Sequence, residues 1–159
     1  MATQQIIEKE ATVVPADEGK KMIVMGNDVT VKLSGSQTGG AYYVFEVITP
    51  PGVGVPPHIH QHEDEVIEVL EGNLEVQLGD QVYQAGEGAL IHFIRYVPHG
   101  FRNTGQAPCR TRWTVIPGAG FETFFEELAA LPADQPPDLE KVAAIFAKYD
   151  IELLPPPGL

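Results

Sequence analysis

Residues 52–72 read GVGVPPHIHQHEDEVIEVLEG, and the pattern of this stretch decides the fold. His58 and His60 stand two apart, so on a β-strand both side chains leave the same face. Two imidazoles aimed at one point are a natural pair of metal ligands. Glu65 lies five positions after His60, an odd number that would send it to the opposite face of an unbroken strand. The intervening Gln61-His62-Glu63-Asp64 is entirely polar and suits a bend. After it, Val66-Ile67-Glu68-Val69-Leu70 opens a second strand, and Glu65 can point back to the same centre. Gly72-Asn73 then reads as a turn into the alternating strand Leu74-Glu75-Val76-Gln77-Leu78.

The order Gly52, five residues, His58, one residue, His60, four residues, Glu65, six residues, Gly72 resembles the first sequence motif of the cupin family, with every fixed position filled. The family's second motif holds a Gly, a Pro-x-Gly turn, a His and, four residues on, an Asn. Gly88, His99 and Asn103 fit that spacing, while Ile94 and Tyr96 stand where the family has the Pro and Gly of the turn. The departure concerns the strand connection before His99, not the histidine. The resemblance implies that His58, His60, Glu65 and His99 hold one divalent transition metal: iron, manganese, nickel, copper, cobalt or zinc. An octahedral ion with four protein ligands keeps about two positions for water, dioxygen or substrate. Glu65 can stay on the metal or leave it and act as a catalytic base. His62 in the bend and Asp64 beside Glu65 are the nearby competitors; a solvated loop role suits His62, and the motif spacing favours Glu65 over Asp64.

Outward from this stretch, turn signals punctuate many short strands. Residues 21–25 and 28–33 are β-rich and split by Gly26-Asn27-Asp28; 41–48 (AYYVFEVI) is a strong strand; 49–57 reads as a loop delivering the chain to His58. Further strands are expected at 81–84, 89–94, 99–103 and 110–116. This spacing predicts an all-β sandwich or barrel. With ligand clusters on separate strands, the family resemblance implies a jelly-roll (double-stranded β-helix) barrel over about 12–117. A helical extension follows over about 118–159, the whole chain 1–159 being a single domain. Phe121, Phe124, Phe125, Leu128 and Leu131 recur at helical spacing, as do Leu139, Val142, Phe146 and Tyr149 after the plausible N-cap Asp138. Two helices packed on the barrel are therefore expected, with 151–159 extended along the surface because Pro155-Pro156-Pro157 forbids helix. An aromatic Phe-Glu-x-Phe-Phe helix after Pro-Gly-x-Gly is similar to the small cupins grouped as quercetin-dioxygenase-like.

The bulk properties bound the rest. The 159 residues carry a formal net charge of -12, which argues against nucleic acid or an anionic membrane as partner. The single cysteine, Cys109, allows no internal disulfide and reads as a small core or turn residue. No apolar run approaches the ~20 residues of a membrane span. The first residues lack a signal-peptide pattern, so the cytoplasm is the expected compartment. Residues 1–11 read as a loose polar arm. All four arginines fall between Arg95 and Arg112, most of them expected on the outer face; an inward one would hold a carboxylate or enolate. Tyr42, Phe45, His92, Phe101 and Trp113 are candidate walls of a substrate pocket. The resemblance implies a metal-dependent dioxygenase of a flavonol-like or enolisable aromatic or keto compound, acting as a homodimer. The rivals are a Lewis-acid isomerase, lyase or hydrolase, and a non-catalytic small-molecule-binding barrel.

Overall fold

Period-two alternation makes strand the commonest element of the chain. A computed structural model describes residues 10–155. The expected arm at 1–11 and the end of the expected tail fall largely outside them. In chain order the strands are β1 (Lys20–Val24), β2 (Asn27–Leu33), β3 (Tyr43–Thr49), β4 (Gly54–His60), β5 (Asp64–Glu71), β6 (Asn73–Leu78), β7 (Gln81–Gly86), β8 (Leu90–Phe93), β9 (His99–Arg102) and β10 (Cys109–Ile116). Helices α1 (Ala119–Ala129) and α2 (Leu139–Lys148) follow, then β11 (Ile151–Leu153). The strands form two antiparallel sheets, ordered β1-β2-β3-β10-β5-β8 and β11-β4-β9-β6-β7, the two-sheet arrangement of a jelly roll.

Each inward face is apolar because the pleat sorts alternate residues. On β3, Tyr43, Phe45, Val47 and Thr49 point in; on β10, Cys109, Thr111, Trp113 and Val115 do so, leaving Arg110 and Arg112 outside. The register places Trp113 opposite Phe45 on one side and Ile67 on the other. The Phe45 and Trp113 rings stack with centroids 5.9 Å apart. β5 follows the same parity: Glu65 shares the inward face with Ile67 and Val69.

Three connections differ from the expected ones. The β1–β2 hairpin turns on Met25-Gly26, both at positive φ (50° and 81°), and Asn27 already belongs to β2. The Asn27 side chain is buried and donates to the carbonyls of Val24 and Met25. Residues 54–57 are strand rather than loop, despite Pro56 and Pro57. The β4–β9 register shifts between Val55 and His58, and Gly100 lets the strands approach, since a Cβ there would lie 2.9 Å from Pro57 N. Residues 151–153 do not simply lie on the surface: they pair with β4 opposite His58–His60 and bury Ile151.

Two helices form where the periodicity predicts, but Leu131 and Tyr149 lie just past their ends, and Leu139, in the first turn of α2, is exposed instead of joining the apolar face. Asp138 caps α2 by accepting from Lys141 N at 3.2 Å. Phe121, Phe124 and Leu128 of α1 and Val142 and Phe146 of α2 are buried. They lay this aromatic face over one end of the space between the sheets.

Candidate metal centre

β4 presents His58 and His60 two residues apart on its inward face, and the neighbouring β9 presents His99 directly opposite His58. One ring nitrogen from each of the three imidazoles falls within 4.8 Å of the others. All three are buried, His60 and His99 almost completely. Glu65, 2% exposed, approaches from β5 across the barrel, with Oε1 3.8 Å from His60 Nε2 and Oε2 3.1 Å from His99 Nε2. The turn before His99 survives without the family's Pro and Gly: Tyr96 itself adopts φ 70°, Val97 N bonds to Ile94 O, and Tyr96 N bonds to His60 O. Asn103 is no ligand; its side chain ties Thr49 O, Ala107 O and Gly105 N together.

Each imidazole is oriented through its far nitrogen. His58 Nδ1 faces Pro56 O at 2.8 Å, His99 Nδ1 faces Val97 O at 3.0 Å, and His60 Nδ1 faces Glu63 Oε2 at 3.1 Å. These oxygens can only accept, so each Nδ1 carries the hydrogen and each Nε2 keeps its lone pair for the centre. Metal-ligating histidines are held in this way. Two further observations fit a cation. Glu65 Oε2 and His99 Nε2 lie 3.1 Å apart, yet neither has a hydrogen-bond partner though both are buried. Glu63 and Glu65 are both buried carboxylates, and among the described residues neither has a Lys or Arg partner. A divalent ion between the Nε2 atoms and Glu65 would satisfy the lone pairs and offset the charge.

Protonation follows the same geometry. Burial, with the neighbouring His99 and His60, pushes His58 down to about 3, so it stands neutral and ready to ligate. Burial also pushes His60 down, but the carboxylates of Glu65 and Glu63 outweigh it and hold His60 above its ordinary value. Burial raises Glu65, yet His60, His99 and His58 prevail and keep it below its ordinary value, as a carboxylate.

The centre opens onto a cavity of about 50 Å³. Phe45, Phe101 and Trp113 line it. Tyr42 and His92 do not: both are exposed, and the pocket reading is corrected for them. β3 begins at Tyr43, whose parity turns Tyr43 inward and Tyr42 out, while on β8 Ile91 and Phe93 face in and His92 faces out. His62 is exposed and pairs with Asp150 at 2.8 Å. Asp64 forms a two-pronged pair with Arg95 outside the centre. Two contributions went unread in the sequence. Glu63 was one polar residue among four in the bend. The aromatic side chains of the helices, Phe121, Phe124, Phe125 and Phe146, reach the cavity itself. The Phe121 ring lies 5.7 Å from His60 and Phe146 lies 5.9 Å from His58.

Residues 45–116 match the family model described as Cupin domain. The chain is 30% identical to Protein SchB of Streptomyces halstedii over 106 residues, covering 65% of this chain and 75% of that protein. It is 27% identical to the quercetin 2,3-dioxygenase of Bacillus subtilis (strain 168) over 95 residues, covering 60% of this chain but 28% of that enzyme. Among solved structures, the polyketide cyclase RemF from Streptomyces resistomycificus shares the fold at TM-score 0.60 and 24% identity, over 67% of this chain and 80% of that one. With its motif, its two sheets and its three-histidine cluster in agreement, the chain belongs to the cupin superfamily.

Proposed function

We propose that this chain is a metal-dependent dioxygenase acting on an uncharged, oxygen-bearing aromatic or enolisable small molecule, with His58, His60, His99 and Glu65 as metal ligands. The observation that carries the reading is the character of the chamber: His58, His60, His99 and Glu65 at one wall, aromatic and aliphatic side chains around most of the rest, and, among the described residues, no Lys or Arg in the lining. Three of the four arginines are engaged elsewhere. Arg95 pairs with Asp64, Arg110 with Glu46 and Glu71, and Arg112 with Glu46 and Glu68. A dianionic substrate would therefore meet no countercharge except the metal, whereas a planar phenol or enol would meet ring faces and one Lewis-acidic centre. The resemblance to a quercetin dioxygenase points the same way.

When bound, the metal would supply a coordination site for substrate oxygen and for dioxygen. The chain's own part is positional. The Nδ1 contacts fix the three rings, Phe93 stacks on His99 with centroids 4.1 Å apart, and the helices exclude water. Glu65, a carboxylate facing the cavity, would take the proton of a substrate hydroxyl if it leaves the metal. A cavity of about 50 Å³ holds a few water-sized groups, since one water needs about 10–15 Å³ in this measure. A multi-ring substrate therefore requires α1 and α2 to shift.

The test is oxygen uptake by protein reconstituted separately with each candidate metal and offered quercetin and simpler enols. Uptake with at least one metal, abolished in His58→Ala/His60→Ala, is the expected result. Turnover of an enol without oxygen consumption would move the assignment to Lewis-acid isomerase or lyase chemistry. Ligand-raised thermal stability without turnover would move it to a binding protein.

A further inference from the structure

The three imidazoles are not held alike. His58 and His99 each donate from Nδ1 to the carbonyl two residues back on their own chain, Pro56 O and Val97 O. Those acceptors are backbone dipoles that come with the strand. His60 instead donates to a side chain, Glu63 Oε2, three residues ahead across the bend. The Glu63 carboxylate is 7% exposed, and the nearest arginine, Arg95, is committed to Asp64. His60 is thus flanked by two carboxylates, Glu63 at Nδ1 (3.1 Å) and Glu65 at Nε2 (3.8 Å).

Burying a second carboxylate without a Lys or Arg is costly. A cation on the far nitrogen of His60 gives the charge a purpose. An anion at Nδ1 makes the opposite nitrogen a better donor and locks the ring in the ligating tautomer. We propose that Glu63 is a positioning residue of the metal centre, acting through His60 to set how tightly a divalent ion is held. This rests on the proposed metal site and goes beyond it: Glu63 touches neither metal nor substrate, and the three rings become unequal, with His60 the strongest imidazole donor.

The probe is Co(II), whose absorption reports its coordination, titrated into metal-free protein in competition with a chelator. Glu63→Gln keeps the shape and can still accept from Nδ1, but removes the charge. Its dissociation constant is expected to rise about 10–100-fold with a shifted Co(II) spectrum. The circular dichroism of the metal-free variant should match that of wild type, which separates a loss of affinity from a loss of fold. Glu63→Asp, which keeps the charge on a shorter arm, should recover part of the affinity, and Asp64→Asn, one residue along, should bind as wild type does. A Glu63→Gln dissociation constant within twofold of wild type, with wild type binding tightly, overturns the Glu63 assignment and leaves the metal site standing. Equal losses in Glu63→Gln and Glu63→Asp would mean that fit rather than charge matters, and would overturn it too. Wild-type protein that takes up no Co(II) overturns both.

Discussion

The chamber has two unlike halves. One wall is strand: β4, β5 and β9 deliver His58, His60, Glu65 and His99, and the pleat fixes where each side chain points. The opposite wall is helix: α1 and α2 close the barrel with the apolar rings of Phe121, Phe124, Phe125 and Phe146. The Phe124 and Phe146 rings meet edge to face with centroids 5.1 Å apart. On the proposed reading, the strand wall carries the chemistry at fixed positions, and the helical wall governs stability and access. Substitutions in the two walls should separate cleanly in what they change.

The largest effect belongs to the strand wall. Glu65→Gln preserves volume and removes the anion, so turnover should fall about 10²–10⁴-fold while the fold remains, as steady-state kinetics beside circular dichroism would show. Turnover within tenfold of wild type would remove Glu65 from the chemistry. In the helical wall, Phe146→Ala should lower the unfolding free energy by about 3–5 kcal/mol, because Phe146 is 2% exposed and packs between Phe124 and His58. Its metal stoichiometry should be unchanged. Lost metal with unchanged stability would reverse the roles of the two walls.

A smaller effect is pH-dependent and belongs again to the strands. In the metal-free protein His58 is held neutral down to about 3, against 6.5 for an ordinary histidine. A group depressed in the folded state gives stability that is complete above 6.5 and lost as pH falls toward 3, at about 1.4 kcal/mol per pH unit. His60 is shifted the other way, so its contribution is complete below 6.5 and does not offset the slope. Urea unfolding of metal-free protein at pH 7, 6 and 5 checks this; equal stabilities at pH 6 and 5 would contradict it. The smallest effect lies outside both walls. Tyr96 sits at φ 70°, where glycine carries no steric penalty, so Tyr96→Gly should stabilise by under about 1 kcal/mol once the entropy cost of glycine is subtracted. A melting temperature below wild type would show that the exposed Tyr96 side chain holds the turn instead.

The same contrast explains how much was legible in the sequence. His58 and His60 could be placed because period two is a local rule, and Glu65 because a polar bend resets parity. Tyr42 was misplaced by a single residue: Thr38 Oγ1 holds the Tyr42 carbonyl, and the inward alternation starts at Tyr43. His92 was recoverable, since Phe93 beside it is the apolar residue of the pair and takes the inward face. Glu63 was not, because nothing in Gln61-His62-Glu63-Asp64 marks which residue folds back on His60. The aromatic stripe of the helices was legible as an apolar face, but its destination depends on contacts between elements far apart in the chain. Residues 54–57 misled because two prolines argue for loop, and only the neighbouring strand with Gly100 makes room for them.

Metal content tests the central claim most directly: elemental analysis of protein purified without chelator or metal-affinity tag, wild type beside His58→Ala/His60→Ala. The account predicts close to one divalent transition metal ion per wild-type chain and none in the variant. Equal metal in both, or none in either after reconstitution, would contradict it.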